Sequence, residues 1–548
     1  MATVEKELKI KLRKQCLSSQ SLYCKLTPRS HQQEYDTAIK DEPRSDLGIC
    51  SWTHPSSDPS FSNEDIYESP TDIRPIYEAL SYAWGSTDDL EVAYVSEFST
   101  TRNIIENVFT TMELGKNLIC ALKHLRNIYA PRRLWVDAIC INQTDMKERE
   151  RQVLRMDNIY KSADRVLIWL GPTKDNSSLA ISVLQKIGQR VEITRDGFIV
   201  SSPDYREPFS WPPQLPGDEQ SWLAINELIQ VPWFERLWIL QEAQLSSLKS
   251  IVICGHNQLS WDLFRRAIVY LYAFQSYSLV KLSQDLRRCL DTVYGICWGL
   301  THGTFPYLLS ISRKAKCSLP VDKIYGIVGL APHNIRTKIK PKYSLCAGEV
   351  YKSTFLDHVS LVHRLELLGF SKIQYRIVHM PSWVPNWSLN FKVFNMWWGG
   401  GFSAAGVSSA HVHYQPPNLL QVTGVRCATV HTVSNSAMER TSDLYDLVRG
   451  KDYQSFQSET YVTGESMLEA YAWTLSFGWL KERYPTHDVS SIQEFKKTVI
   501  DEVKMGTKTQ DVEITDVCRI AITEHKFLTT KEGYFGFGPN SSLPGKDF

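Results

Sequence analysis

Cysteine pairs at metal-binding spacing are missing from this chain. Its twelve cysteines are scattered, without one C-x-x-C, which speaks against a structural zinc site and a disulfide scaffold and favours a reducing compartment. Excess charge is missing too. With 61 basic and 60 acidic side chains the formal net charge is +1, too little to draw the molecule toward nucleic acid or an anionic membrane, so neither partner is expected. The opening "MATVEKELKIKLRKQ" alternates charge and has no apolar core, unlike a signal peptide. The one stretch approaching a membrane span, 292–311, is broken by His302, Gly303 and Pro306 and reads as a buried helix or loop pair. Neither H-E-x-x-H nor G-x-S-x-G occurs. "GFSAAGVS" at 401–408 has the glycine spacing of a phosphate loop but carries Val407 where lysine is required. His411 and His413 share one side of a strand with no third ligand, so no metal is expected. The expected location is cytoplasmic.

What is present suits a large globular protein. At 548 residues, 43% apolar and 22% charged, the chain is too long for one core. Residues 1–70, rich in Ser, Pro and Asp, read as a loosely ordered extension. "IYEALSYAWG" (76–85) predicts a strand. In "LGKNLICALKHLRNIY", Leu118, Leu122, Leu125 and Tyr129 recur at helical spacing. "RRLWVDAICIN" and "RVLIWLG" are apolar runs of strand length, as expected for strands covered on both faces. Between them a helix is predicted from Asp145, with Met146, Val153, Met156 and Tyr160 on one face and Glu148 placed as in a capping box. An insertion follows at 172–220, then a helix starting near Pro232, then a strand at "SIVICG". This order predicts an α/β domain over 71–255, a parallel sheet with helices on both faces. A mainly helical region (256–375) and a mixed α/β region (376–548) follow.

In such a sheet ligands gather beyond the carboxyl ends of the strands. Three strand ends point to one rim: Trp84-Gly85-Ser86, Asp137 with the following "AICINQ", and Leu170-Gly171. Asp137 either binds a ligand hydroxyl or caps the next helix, and Asn142 either reads a polar ligand or serves a turn. In "RLWILQE", Trp238 and Glu242 stand four apart on one helical face. An indole against a carboxylate excludes water and raises its pKa, as a catalytic acid or charge stabiliser requires. The competing reading makes Glu242 a solvated edge, or the ion-pair partner of Arg236 or Arg165.

The series "YEALSYAWG", "LWVDAICINQTDMKERERQVLRMDNIYKSADRVLIWLG" and "WFERLWILQEAQL", in that order, closely resembles the fungal heterokaryon incompatibility (HET) domain family. The resemblance implies a role in allorecognition, in which fusion of unlike fungal cells triggers programmed cell death. It also implies a protein partner in non-self recognition. A more distant resemblance is to Toll/interleukin-receptor (TIR) domains, which implies a TIR-like, flavodoxin-like sheet and activation by assembly into a homo-oligomer. In TIR enzymes a glutamate in a W-x-x-x-E helix serves NAD hydrolysis, so NAD would be a substrate and no cofactor is needed. Carried to this chain, Glu242 is the catalytic residue. Trp238, Ser81, Trp84, Gly85, Asp137 and Asn142 then flank the nucleotide. The alternative is a non-enzymatic signalling module acting through the charged helix "TDMKERERQV", or an inactive paralogue.

Overall fold

The computed structural model describes residues 9–14, 22–26, 76–97 without 87, 109–127, 130–194, 198–203, 215–275, 278–299, 304–371, 376–389, 408–434, 460–475, 497, 525–539 and 541–545. The chain divides into two compact units, Met1–Gly299 and Leu300–Phe548.

The first unit is α/β. It begins with β1 (Lys9–Lys14), β2 (Leu22–Leu26), β3 (Glu78–Tyr82), β4 (Leu90–Glu97), β5 (Phe109–Gly115), α1 (Lys116–Leu125) and β6 (Arg132–Trp135). Short helices α2 (Asp137–Cys140), α3 (Met146–Val153) and α4 (Met156–Ser162) lead to β7 (Arg165–Gly171) and α5 (Ser177–Arg190). Then come β8 (Val191–Ile193), β9 (Ile199–Ser201), α6 (Glu219–Ile229), α7 (Ile239–Gln244), β10 (Ile251–Cys254), β11 (Asn257–Ser260), α8 (Trp261–Phe274) and α9 (Gln284–Cys297).

Four parallel strands form the centre of the sheet in the spatial order β6-β3-β7-β10. Numbered along the chain that order is 2-1-3-4, so the direction of winding reverses between β3 and β7. β11 adds antiparallel to β10, making a five-strand mixed block. Beyond β6, strands β2, β1, β4 and β5 extend it to nine. Two of these strands fall inside the stretch read from sequence as a loosely ordered extension. The β4–β5 hairpin was not anticipated at all.

Alternation along the strands explains the two faces. Leu80 and Tyr82 of β3 and Leu167 and Trp169 of β7 join Leu118, Ile119, Leu122 and Leu125 of α1 in one buried cluster. Ala79, Ser81, Val166 and Ile168, of opposite parity, are also fully buried. On that side α7 packs on β3, β7 and α4. Each strand is therefore apolar throughout, as the sequence suggested. At the amino ends, Glu78 accepts from Arg132 (Nη2, 2.9 Å) and Arg165 (Nε, 2.6 Å), fastening β3 to both parallel neighbours.

Three expectations need correction. The single helix predicted from Asp145 is two helices broken at Leu154–Arg155, and Met146 is exposed rather than on a buried face. Asp145 does cap α3, accepting from Lys147 N and Glu148 N, but Glu148 receives Asn142 N instead of closing the box. The segment from Pro232 makes only one 3₁₀ turn, Pro232–Glu235, before Arg236 turns extended. The stretch called an insertion holds α5, a 14-residue helix packed against α6 and α8.

In the second unit, α10 (Phe305–Lys314), α11 (Asp322–Val328), α12 (His333–Lys338) and α13 (Ala347–Val362) precede small antiparallel sheets. These are β12 (Val412–Gln415) with β13 (Leu419–Val422), and β14 (Val430–Val433) with β15 (His525–Thr530) and β16 (Phe535–Pro539). Lys323 on α11 is buried and donates to the carbonyls of Ser312, Arg313 and Ala315, closing the carboxyl end of α10. The stretch 401–407 lies outside the described residues. Among the described residues no helix is long and apolar enough to cross a membrane.

Candidate functional site

Glu242 is the most deeply buried acid of the rim, 1% exposed. It is not a solvated edge. It sits in the first turn of the six-residue α7 rather than deep inside a long helix, because that helix begins only at Ile239. The hydroxyl of Ser81, on the inward face of β3, donates to Glu242 Oε2. The indole N–H of Trp233 in turn donates to Ser81 Oγ at 2.8 Å. The indole tied to the acid is thus Trp233, through a serine. Trp238 stands at the amino cap of α7, half-buried, where its carbonyl accepts from Glu242 N (3.2 Å).

Arg236 supplies the charge. Its Nη1 lies 3.9 Å from Glu242 Oε2 and also donates to the carbonyl of Tyr82. That second bond explains why the chain is extended at Arg236: the side chain is anchored on the end of β3. Arg165, the other candidate partner, is committed to Glu78.

Asp137 opens α2 at the end of β6 and is 9% exposed. It does not cap that helix from the Ncap position, which Val136 fills. Its Oδ1 accepts from Ala138 N (2.7 Å) and its Oδ2 from the indole N–H of Trp84 (2.9 Å). The hydroxyl of Tyr82 also helps to hold the Asp137 carboxyl down. Trp84, with its N–H so held, is still 42% exposed. Gly85 follows at φ +81°, a left-handed turn that glycine adopts without strain. Asn142 is used locally: its Oδ1 accepts from Thr144 N (3.1 Å) and Thr144 Oγ1 (2.7 Å).

Electrostatically the centre holds two buried carboxyls and one guanidinium. Burial raises Glu242 to about 7; Arg236 and the Ser81 hydroxyl oppose the rise, and the charge of Asp137 adds to it. Burial also raises Asp137, against Arg236, Trp84 and Ala138. Glu242 is thereby brought near neutrality, the range in which an acid group serves catalysis.

The structure brings Ser81, Trp84, Gly85, Asp137 and Glu242 to the carboxyl ends of β3 and β6 and leaves Asn142 on a solvent-facing turn. Sequence reasoning missed Trp233 and Tyr82 and gave Arg236 only as a bland ion-pair partner. The legible signal was "WFER" just ahead of the helix, an aromatic pair and a cation too close to Pro232 for ordinary surface chemistry. Among the described residues no cluster of His, Cys, Asp and Glu could hold a metal ion.

The heterokaryon incompatibility protein (HET) family matches residues 77–242, beginning on the residue before β3 and ending on the buried acid itself. The chain carries a HET domain. It is 25% identical over 439 residues to "Heterokaryon incompatibility protein 6, OR allele" of Neurospora crassa, covering 65% of this chain and 59% of that protein. The chain thus spans less than two thirds of the length of this curated relative. No solved structure matches. Within the HET domain, the matched span contains every residue of the Ser81–Trp233–Arg236–Glu242 network and both partners of the Trp84–Asp137 bond.

Proposed function

We propose that this protein acts in heterokaryon incompatibility, as its HET domain and its Neurospora relative suggest, and that the domain promotes cell death by hydrolysing NAD. One observation carries the chemistry: a carboxylate in a dry setting, hydrogen-bonded by Ser81, flanked by Arg236 and Asp137, at the strand ends where the sheet reverses its winding. The 2-1-3-4 order is that of flavodoxin-like sheets, whose ligands lie beyond the carboxyl ends at such a reversal. This supports a TIR-like reading of the fold.

In the reaction the C1′–N bond between ribose and nicotinamide breaks, and its electron pair leaves with the nicotinamide. Water supplies the new oxygen on C1′ and loses a proton. Positive charge builds on the sugar as in glycoside hydrolysis. Glu242 as carboxylate stabilises that charge, and a low-dielectric site strengthens the effect. The leaving pyridinium needs no proton, so one carboxylate suffices. Asp137 keeps Trp84 oriented, and the exposed ring offers the pyridinium a flat, electron-rich face. Glu242 is closed off by Ser81 and Arg236 in the isolated chain, which fits activation by assembly into a homo-oligomer in the cytoplasm.

The same burial favours a second reading, in which Glu242 is a latch holding the 232–242 segment on β3 and the domain signals through the surface of α3. Expression in a fungal host separates them. If the enzyme reading holds, wild-type protein depletes cellular NAD and stops growth, and Glu242→Gln does neither while accumulating normally. Growth arrest that persists in Glu242→Gln, with NAD unchanged, overturns it in favour of the latch.

A further inference from the structure

A hollow of ≈ 590 Å³ opens where the start of α5 meets the end of α6, lined by Lys174, Asp175, Asn176, Glu227, Gln230 and the Val231–Pro232 turn. Its volume is that of small-molecule and cofactor sites. Its position follows from the sheet. Tyr82 of β3 stands in register with Trp169 of β7, so the chain leaving β3 through Ala83 and Trp84 and the chain leaving β7 toward Lys174 emerge side by side. Adjacent strands lie ~4.8 Å apart. The winding reverses between these two strands, and Lys174 follows β7 on one side of that reversal. A second link is covalent. Pro232 in the wall of the hollow is followed directly by Trp233, the residue bonded to Ser81, and soon by Arg236.

The hollow is built rather than incidental. Glu227 Oε2 accepts from Asn176 Nδ2 (2.9 Å), and Asn176 Oδ1 accepts from Gln220 Nε2 (3.0 Å). This chain fixes the carboxylate at the junction of α6 with α5. A fixed carboxylate facing a polar hollow suits a vicinal diol, to which it accepts two hydrogen bonds, and Lys174 sets a cation at the same rim. Beneath it Leu170, Pro172, Ala224, Leu228, Val231 and Cys254 line a smaller, apolar recess.

We propose that this hollow takes the adenosine diphosphate half of a dinucleotide, with Glu227 on the ribose hydroxyls and Lys174 on the phosphates. The inference rests on the NAD reading above, which it extends from the nicotinamide end to the whole substrate.

Calorimetric titration of the full chain with ADP tests it. ADP binds wild-type protein, and 2′-deoxy-ADP binds roughly tenfold more weakly, because a charge-assisted hydrogen bond is lost. In Glu227→Gln, which keeps an acceptor for Asn176, ADP weakens by a similar factor and the preference over the deoxy analogue disappears. Lys174→Ala weakens both nucleotides alike. Absence of ADP binding, or an unchanged preference in Glu227→Gln, overturns the assignment. ADP binding without nicotinamide release keeps the hollow and removes the cleavage reading; nicotinamide release without ADP binding does the reverse.

Discussion

Replacing Glu242 by glutamine turns the buried acid into a measurable dependence of stability on pH. The carboxyl stands at about 7 in the folded chain against an ordinary value of 4.5, with burial the leading cause. The folded state therefore holds a proton that the unfolded state releases, and low pH favours folding. The contribution is about 3 kcal/mol, from roughly 1.36 kcal/mol per tenfold difference in proton affinity. It is fully present below pH ~4.5 and is lost as pH rises through about 7. About 2 kcal/mol of it falls between pH 5.5 and 8.5 by the same linkage. Glutamine keeps an acceptor for Ser81 but does not titrate, so its variant lacks this slope. Thermal unfolding of both proteins across that range, followed by calorimetry, isolates the effect of Glu242 together with its coupling to Asp137, because titrations that do not involve this pair cancel in the difference. At about 2 °C per kcal/mol for a unit of this size, the melting temperature of Glu242→Gln gains about 4 °C on wild type from pH 5.5 to 8.5. A difference that stays constant, or that runs the other way, refutes the burial of an ionisable acid at this position.

Three further outcomes follow from single contacts. Ser81→Ala strands both the Trp233 indole N–H and Glu242 Oε2 in the core, and chemical denaturation should show a loss of about 1–3 kcal/mol. It should also raise the Glu242 midpoint, since the hydroxyl holds the acid down. Gly188→Ala sets a methyl group 2.3 Å from the Leu263 carbonyl where α5 crosses α8, and thermal melting should register about 2–3 kcal/mol of overpacking. Lys323→Met removes the cation shared by three carbonyls at and just past the carboxyl end of α10, and amide exchange should reveal earlier opening of α10, with about 1–3 kcal/mol lost there.

Much of the sheet was legible because strands buried on both faces carry no polar alternation, and β3, β6, β7 and β10 all read as short apolar runs. The β4–β5 hairpin was missed although "LEVAYVSE" does alternate, with Ala93 buried between exposed Val92 and Tyr94. Its signal was local and lay outside the βαβ pattern being followed. The helix at Pro232 went wrong for a tertiary reason. Proline presets the first turn, but Trp233 and Arg236 are pulled onto β3 by Ser81 and the Tyr82 carbonyl, and the turn cannot propagate. For the same reason the wrong indole was assigned to the acid. Spacing of four put Trp238 beside Glu242, whereas the contact comes from a residue nine positions earlier, through a side chain on another strand. Trp84 and Asp137 were each legible as strand ends, but their mutual hydrogen bond spans 53 positions and has no local trace.

The most direct test of the catalytic role given to Glu242 is nicotinamide release from NAD by concentrated purified protein, measured from pH 5.5 to 8.5 beside Glu242→Gln. Because the ionised carboxylate is the active form, release should rise with pH through a midpoint near 7 and vanish in the variant. No release at any pH, or an identical profile from both proteins, would contradict it.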